Sequence, residues 1–249
     1  MIESLYIGAS GLHTQQTHLA LISNNVANLN TPAFKKDRPN FAELVQRNAV
    51  SGSGLGMGTA VSWTEKIFQI GPMKKTGREL DVAIQGNGFL EVVLPDGSLA
   101  YTRAGALGLD RDGTLITADG LRLSSDVRVP ADSLGLVIQA NGDVYARLPD
   151  GAGPLLLGQL ELASFVNPGA LEAVGDNLYV TTERSGEAYY GIAGENGLGT
   201  FGQGFLEASN VDLVEELTGL VVAQRAYQLS ARLVQASDQL LGITNELRA

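Results

Sequence analysis

The chain contains no cysteine. Disulfides, thiolate zinc sites and cysteine nucleophiles are therefore excluded, while the redox compartment stays open. Histidine is nearly as scarce. His13 and His18 lie five residues apart on a stretch that reads as helix, which places them on different faces and argues against a metal pair. Both belong to that helix, so no serine has a plausible histidine base. Aromatics make up 6% of residues, whereas there are 31 glycines, which points to many turns and close backbone contacts rather than a large aromatic core. No apolar run approaches the ~20 residues of a membrane helix. The start, "MIESLYIGASGLHTQQ", lacks a basic segment followed by a pure apolar stretch and does not read as a secretory signal peptide.

Other absences concern cofactors. "GLGTFG", Gly197 to Gly202, matches a dinucleotide fingerprint as a string, but the helix that should open inside it starts later. "LDRDGTL", with Asp110 and Asp112, resembles part of a calcium loop but lacks the third ligand position and the terminal Glu, so it reads as a turn. An acidic β domain leaves room for a glycosidase-like carboxylate pair, yet no residue pattern picks one out. The sequence makes no positive case for an enzyme, a cofactor or a metal.

What is present is 249 residues, room for one or two domains, and 44% hydrophobic residues, enough for a core. Net charge is −10, unevenly spread. Residues 30–80 hold eight basic and four acidic side chains, net +4; the remainder holds nine against 23, net −14. All five lysines fall in that basic segment. A nucleic-acid binder is usually basic as a whole domain. A basic segment on an acidic chain suits contact between copies of the chain, with a solvated patch as the plain alternative.

Both ends read as helix. Leu5, Leu12, Leu19 and Val26 recur every seven residues, with Ile2 and Ala9 on interleaved positions. The stripe runs into "NNVANLNTPAF", where the asparagines and Pro32 predict a stop near Asn28 to Asn30. At the other end, Ser209 is placed to cap a helix, with Asp212, Glu215 and Glu216 following. No proline interrupts the rest, so the helix would be about 55 Å long. Leu213, Leu220, Tyr227, Val234 and Leu241 form one stripe, beside small residues at Ala223, Ser230 and Ser237. Val222, Leu229 and Ile243 lie nearly opposite, because two residues turn a helix by about 200°. A helix apolar on opposite faces is buried on both. The N-terminal helix covers one face; the other needs a neighbour.

Between the ends, residues 80–190 alternate short strands with turns at Gly86-Asn87-Gly88, Pro95-Asp96-Gly97, Asp112-Gly113, Asp119-Gly120, Asn141-Gly142 and Asp150-Gly151. Turns near every ten residues predict a twisted antiparallel β domain. The fold expected is α+β: paired N- and C-terminal helices forming a coiled-coil stem (residues 1–34 plus 206–249), extended Gly-rich connections (35–79 plus 191–205), and a central all-β antiparallel body (80–190).

"ISNNVANLNTPAFKK" and "SNVDLVEELTGLVVAQRAYQLSARLVQASDQLLG" resemble the N- and C-terminal signatures of bacterial flagellar rod and hook proteins. "LDVAIQGNGFLEV", "DGSLAYTRAGALGLDRDGTLIT" and "GDNLYVTTE" look like the body of the rod members, the distal rod subunits above all. The resemblance spans nearly the whole chain. It implies a structural subunit, without cofactor, that self-assembles helically into a hollow shaft transmitting torque from motor to hook. It also implies contact with other rod and hook proteins and with surrounding bushing rings. Export would use the flagellar type III apparatus without a cleaved signal, and neither nucleic acid nor membrane insertion is implied. Asn24, Asn25, Asn28, Thr31, Phe34 and Lys35 match the first signature; Asn210, Val211, Glu215, Gln224, Arg225, Ala226 and Tyr227 match the second. The Asn run is expected to bond backbone at the stem–body junction. Leu220, Tyr227 and Val234 are expected in the seam, and Gln224 and Arg225 at contacts between subunits. The segment after "FAELV" is shorter than in many distal rod proteins, which leaves a proximal rod protein as the near alternative and a cell-wall glycan-binding or glycan-hydrolysing protein as the distant one.

Overall fold

The computed structural model describes residues 2–47, 54–125, 127–149 and 153–246. They form two compact units, one of residues 1–29, 37–67 and 211–249, the other of residues 30–36 and 68–210.

The first unit is helical. Helix α1 (Ile2–Ala27) ends in the Asn run: Asn28 N donates to Asn24 O at 3.2 Å, and its side-chain amide donates to the same carbonyl at 3.0 Å. Strands β1 (Asp37–Arg47) and β2 (Gly54–Lys66) form an antiparallel ribbon, and helix α2 (Leu213–Glu246) closes the unit. The cap of α2 is Asp212, not Ser209 as the sequence suggested. Asp212 Oδ1 accepts from Val214 N at 2.8 Å and from Glu215 N at 3.2 Å, satisfying two amides that a helix start leaves open. Segment 48–63 reads as flexible from its glycines and serines; residues 54–63 are strand β2, and residues 48–53, with the shortened loop after Val45, lie outside the described residues.

The helices run antiparallel. A Cβ added to Gly8 would lie 2.7 Å from Val234 Cγ2, one on Gly11 3.2 Å from Ser230 Oγ, and one on Gly219 3.5 Å from Ile22 Cδ1. The ribbon lies along α1. Thr14 Oγ1 donates to Thr59 O at 3.0 Å, Thr59 N donates to Ser10 Oγ at 3.3 Å, and the His18 ring meets the edge of Phe41. Gly58, at φ +105°, is there because a Cβ would sit 2.0 Å from Ser10 Oγ.

The second unit is the β body. Its strands are β3 (Met73–Lys75), β4 (Val82–Gln85), β5 (Leu90–Val93), β6 (Leu99–Thr102), β7 (Leu107–Leu109), β8 (Leu115–Thr117) and β9 (Arg122–Leu123). They continue with β10 (Gly135–Ile138), β11 (Asp143–Arg147), β12 (Pro154–Gln159), β13 (Glu161–Ser164), β14 (Glu172–Gly175), β15 (Leu178–Val180), β16 (Tyr189–Ile192), β17 (Thr200–Gln203) and β18 (Phe205–Glu207). A seven-stranded sheet, in the order β14-β15-β6-β5-β9-β8-β7, stands beside a three-stranded one of β10-β11-β12. The pairs β13–β16, β17–β4 and β18–β3 complete the body, and every paired strand is antiparallel. Segment 191–205, expected as a Gly-rich connection, therefore carries strand β17 and the ends of β16 and β18.

The turns at Gly113, Gly120 and Gly142 are present, each at positive φ. Asp150-Gly151 lies outside the described residues. Gly86-Asn87-Gly88 does not close a hairpin: β4 pairs with β17 and β5 with β6, so this bend carries the chain from one sheet to another. The main core gathers Val82, Ile84, Leu90, Leu107, Leu115, Val144, Leu160 and Leu162, each stabilising the fold by about 1.5–3 kcal/mol through burial. A second core is aromatic: Phe68, Phe165 and Tyr179 meet Phe89 edge to face, and Tyr101 meets Phe165.

Backbones approach closely where β4 begins. Val82 N donates to Gly105 O at 2.8 Å, and a Cβ on Gly105 would fall 1.5 Å from Val82 O. Backbone cannot swing aside as a side-chain tip can. Gly105→Ala is expected to lower stability by about 3 kcal/mol, the upper range for overpacking, read as a fall in the urea midpoint at unchanged slope.

Candidate functional site: an open helix face and a buried charge cluster

On α2 the buried and half-buried positions run Glu216, Gly219, Leu220, Ala223, Ala226, Ser230, Ala231, Val234, Ser237 and Leu241. Spacings of three, four and seven place them on one face. Tyr227 shares that face and is 39% exposed; Leu213, one turn before Glu216, is exposed. The opposite stripe is open: Val222 is 61% exposed, Leu229 60% and Ile243 55%, joined by Leu233 and Leu240. Gln224 and Arg225 are exposed.

The seam on α1 differs from the leucine stripe. Leu5, Leu12, Leu19 and Val26 are half-buried on the flank, while Gly8, Gly11, Ile22 and Asn25 meet α2. Glycine carries no weight in a hydrophobic periodicity, so the face chosen by backbone proximity is invisible to it.

The signature asparagines are placed by hydrogen bonds. Buried Asn25 donates to Asp37 O at 3.0 Å and to Glu216 Oε1 at 3.2 Å, and its Oδ1 accepts from Asp37 N at 2.9 Å. Asn24 donates to Asp37 Oδ2 at 3.3 Å, and that oxygen also takes Lys66 Nζ at 2.9 Å. Asn25 thus ties α1, the root of the ribbon and the first turn of α2 together. Burial pushes the His18 imidazole below its ordinary pKa, so acid works against the packing around it.

The other signature residues lie in the body and lead to a cluster that the sequence does not announce. Glu207 is buried, and its carboxylate gathers Lys35 Nζ at 2.5 Å, Gly71 N at 2.9 Å and Arg103 Nε at 2.8 Å. The Arg103 guanidinium also donates to Gly88 O, Ile84 O and Gly86 O. Lys35 donates to Gln69 O at 2.6 Å. Thr31 O accepts from Phe34 N, and buried Phe34 offers its carbonyl to Asn210 N. Asn210 accepts from Lys36 N at 2.8 Å and donates to Gln69 O at 3.2 Å. Lys35 and Asn210 belong to the signatures, whereas Arg103 and Glu207 were missed. A partner 104 residues away leaves no local pattern.

Chemically the cluster is structural. A cleft of about 650 Å³ lined by Phe68, Ile70, Phe89, Phe165 and Val166 has Arg103 as its one titratable lining residue, and arginine does not serve as a general base. A smaller one holds Glu91, Glu161 and Tyr190, with the Tyr190 hydroxyl donating to Glu91. Among the described residues no group of three His, Cys, Asp or Glu could hold a metal ion.

Burial pushes the Lys35 ammonium down to about 8, with Glu207 opposing the shift and Arg103 adding to it. Between pH 8 and 10.5 the unfolded chain holds the proton that the folded chain has shed, so this group's contribution to stability rises with pH across that window. The stability of the native chain relative to Lys35→Met should therefore increase from pH 8 to pH 10, measured by urea titration. Glu207→Gln leaves two buried cations facing each other and should cost about 3–5 kcal/mol at pH 7.

Three segments match known families. Residues 5–35 match the family described as flagella basal body rod protein, residues 83–146 the flagellar hook protein FlgE/F/G D1 domain, and residues 203–247 the flagellar basal body rod FlgEFG protein C-terminal region. The chain is 37% identical to the flagellar basal-body rod protein FlgG of Borreliella burgdorferi, covering all of this chain and 99% of that protein. It is 37% identical to FlgG of Caulobacter vibrioides over the whole of both, and 36% identical to FlgG of Bacillus subtilis over 97% of each. The chain belongs to the flagellar basal-body rod protein family, whose members are structural proteins and not enzymes.

Proposed function

We propose that this structural rod subunit builds the distal rod, polymerising helically through the open face of α2 into the hollow shaft that carries torque from motor to hook. The observation that supports this reading most is the stripe of Val222, Leu229, Leu233, Leu240 and Ile243, exposed on a helix whose other face is already covered. Large apolar side chains in a row on one face mark an interaction surface. Copies of the same chain supply matching helices.

In this reading α1 and α2 pair as an antiparallel coiled-coil stem, with Leu220, Tyr227 and Val234 in its seam. Leu5, Leu12, Leu19 and Val26 sit on its flank, where a neighbouring stem meets them. Gln224 and Arg225 bond across subunits. The helical unit of residues 1–29, 37–67 and 211–249 supplies the stem, and residues 30–36 and 68–210 supply the β body. Other rod and hook proteins cap the polymer at its ends, and bushing rings surround it. The subunit travels through the type III apparatus without a cleaved signal and assembles across the periplasm. The absence of cysteine suits that compartment, since no thiol is open to misoxidation.

Val222→Asp with Leu229→Asp places two charges on the outward face and none in the seam. The variant should keep the monomer's helical circular dichroism and thermal midpoint within about 0.5 kcal/mol, as expected for surface changes. Its assembly, followed by sedimentation velocity and negative-stain imaging, should fall at least tenfold. Undiminished assembly would overturn the role given to this face.

A further inference from the structure

We propose that strand β3 of one copy adds antiparallel to the free edge of strand β14 of the next copy, a basic edge on an acidic one. The proposal rests on the self-assembly reading above and names a second contact within it.

Both strands end a sheet. β3 pairs only with β18, and β14 is the terminal strand of the seven-stranded sheet, so each presents an open edge among the described residues. An open edge is a ready template for another strand. Lys74 and Lys75 are exposed on β3, and all four residues of β14 are exposed, with Val174 at 51%. Glu172 opens β14 and Asp176 follows it at the turn. Among the described residues none of these four charged side chains is in an ion pair.

Charge selects this pairing. Residues 30–36 and 68–210 carry eleven basic and eighteen acidic side chains, net −7, so two bodies repel unless a basic patch is presented. Lys74 and Lys75 supply one, and β14 with its turn supplies the acidic counterpart. The two edges differ, so the contact is head to tail and propagates along a polymer, where a self-complementary contact would stop at a dimer. The antiparallel register that places Lys75 opposite Glu172 also places half-buried Met73 opposite Val174, pairing charge with charge and apolar with apolar. A ladder this short is weak alone and is made effective by the many contacts of a polymer.

The cysteine-free chain allows a direct test. Full-length Met73→Cys chains are mixed with full-length Val174→Cys chains under assembly conditions and treated with a short thiol cross-linker. The expected product is a cross-linked heterodimer, well above the level given by Met73→Cys mixed with Ser98→Cys, whose cysteine lies in the β5–β6 turn. Adding Lys75→Glu to the first chain should lower the yield at least tenfold, and adding Glu172→Lys to the second should restore it. If the chains sediment as polymers while the cross-link stays at the Ser98→Cys level, the edge pairing is wrong and self-assembly stands. A cross-link indifferent to both charge reversals overturns the basic-on-acidic pairing. If the chains stay monomeric throughout, both readings fail.

Discussion

The close approach of two helix backbones decides which surfaces this protein has left to offer. Gly8, Gly11 and Gly219 put no side chain into the seam between α1 and α2, and Ala223 and Ser230 put little. The inner face of α2 is therefore thin. Leu220, Val234 and Leu241 are the bulky aliphatics on that face, while Val222, Leu229, Leu233, Leu240 and Ile243 stand exposed outside it. A fully buried aliphatic contributes about 1.5–3 kcal/mol, and these five are a little over half exposed, so roughly 4–9 kcal/mol remains for a partner. Association costs several kcal/mol in lost freedom, which leaves a surplus that one such helix contributes and a ring of them multiplies. A chain selected only to fold alone would place those residues inward, where marginal stability of about 5–15 kcal/mol could use them.

The same seam separates what the sequence discloses from what it hides. The spacing of Leu220, Val234 and Leu241, with small residues beside them, marks the inner face of α2, and the opposite stripe follows from helix geometry alone. Long, strongly periodic segments carry that information redundantly. The leucines of α1 lie beside the seam because α1 has two neighbours. Gly8 and Gly11 face α2, while Ser10 and Thr14 hydrogen-bond the ribbon at Thr59. At these four positions α1 carries no large apolar side chain, so a hydrophobic count ranks both faces low. The ribbon is hidden for a related reason. Its glycines and serines resemble a linker in composition, yet Gly58 is needed for the backbone to pass Ser10. The alternation of strand and turn in the body was readable, whereas the partner of each strand was not. Gly86 and Gly88 send the chain between sheets instead of closing a hairpin, because β4 finds its partner in β17, more than a hundred residues on.

Polar burial follows a different logic from either helix face. Inside the body, residues 33–36, 69–72 and 207–210 are bonded to one another at several points. Ala33 N donates to Glu207 O, Asn210 N to Phe34 O, Ala208 N to Pro72 O, and Lys35 Nζ reaches Gln69 O. Glu207 closes the knot by holding Lys35, Gly71 and Arg103 at once. Such a cluster is not an efficient source of stability, since taking three charges out of water offsets most of their attraction. Its distinguishing property is direction. An apolar plug of the same volume tolerates a shifted or rotated arrangement at little cost, whereas a carboxylate with three fixed donors is satisfied by one arrangement of the segments around it.

That difference bears on a subunit of a shaft. Two of these segments end where the chain passes between its helical unit and its body, at 36–37 and 210–211, and the third begins just after the passage at 67–68. A polymer repeats any play in those segments at every subunit. Hydrophobic contacts, which depend on area and hardly on angle, suit the outward face of α2 as the proposed meeting surface for neighbours. Directional bonds suit the three body segments, where one arrangement has to be kept. On the proposed reading, the signatures at the two ends of the chain thus combine two physical tasks: Val222 and Leu229 for joining, Lys35 and Asn210 for holding one geometry.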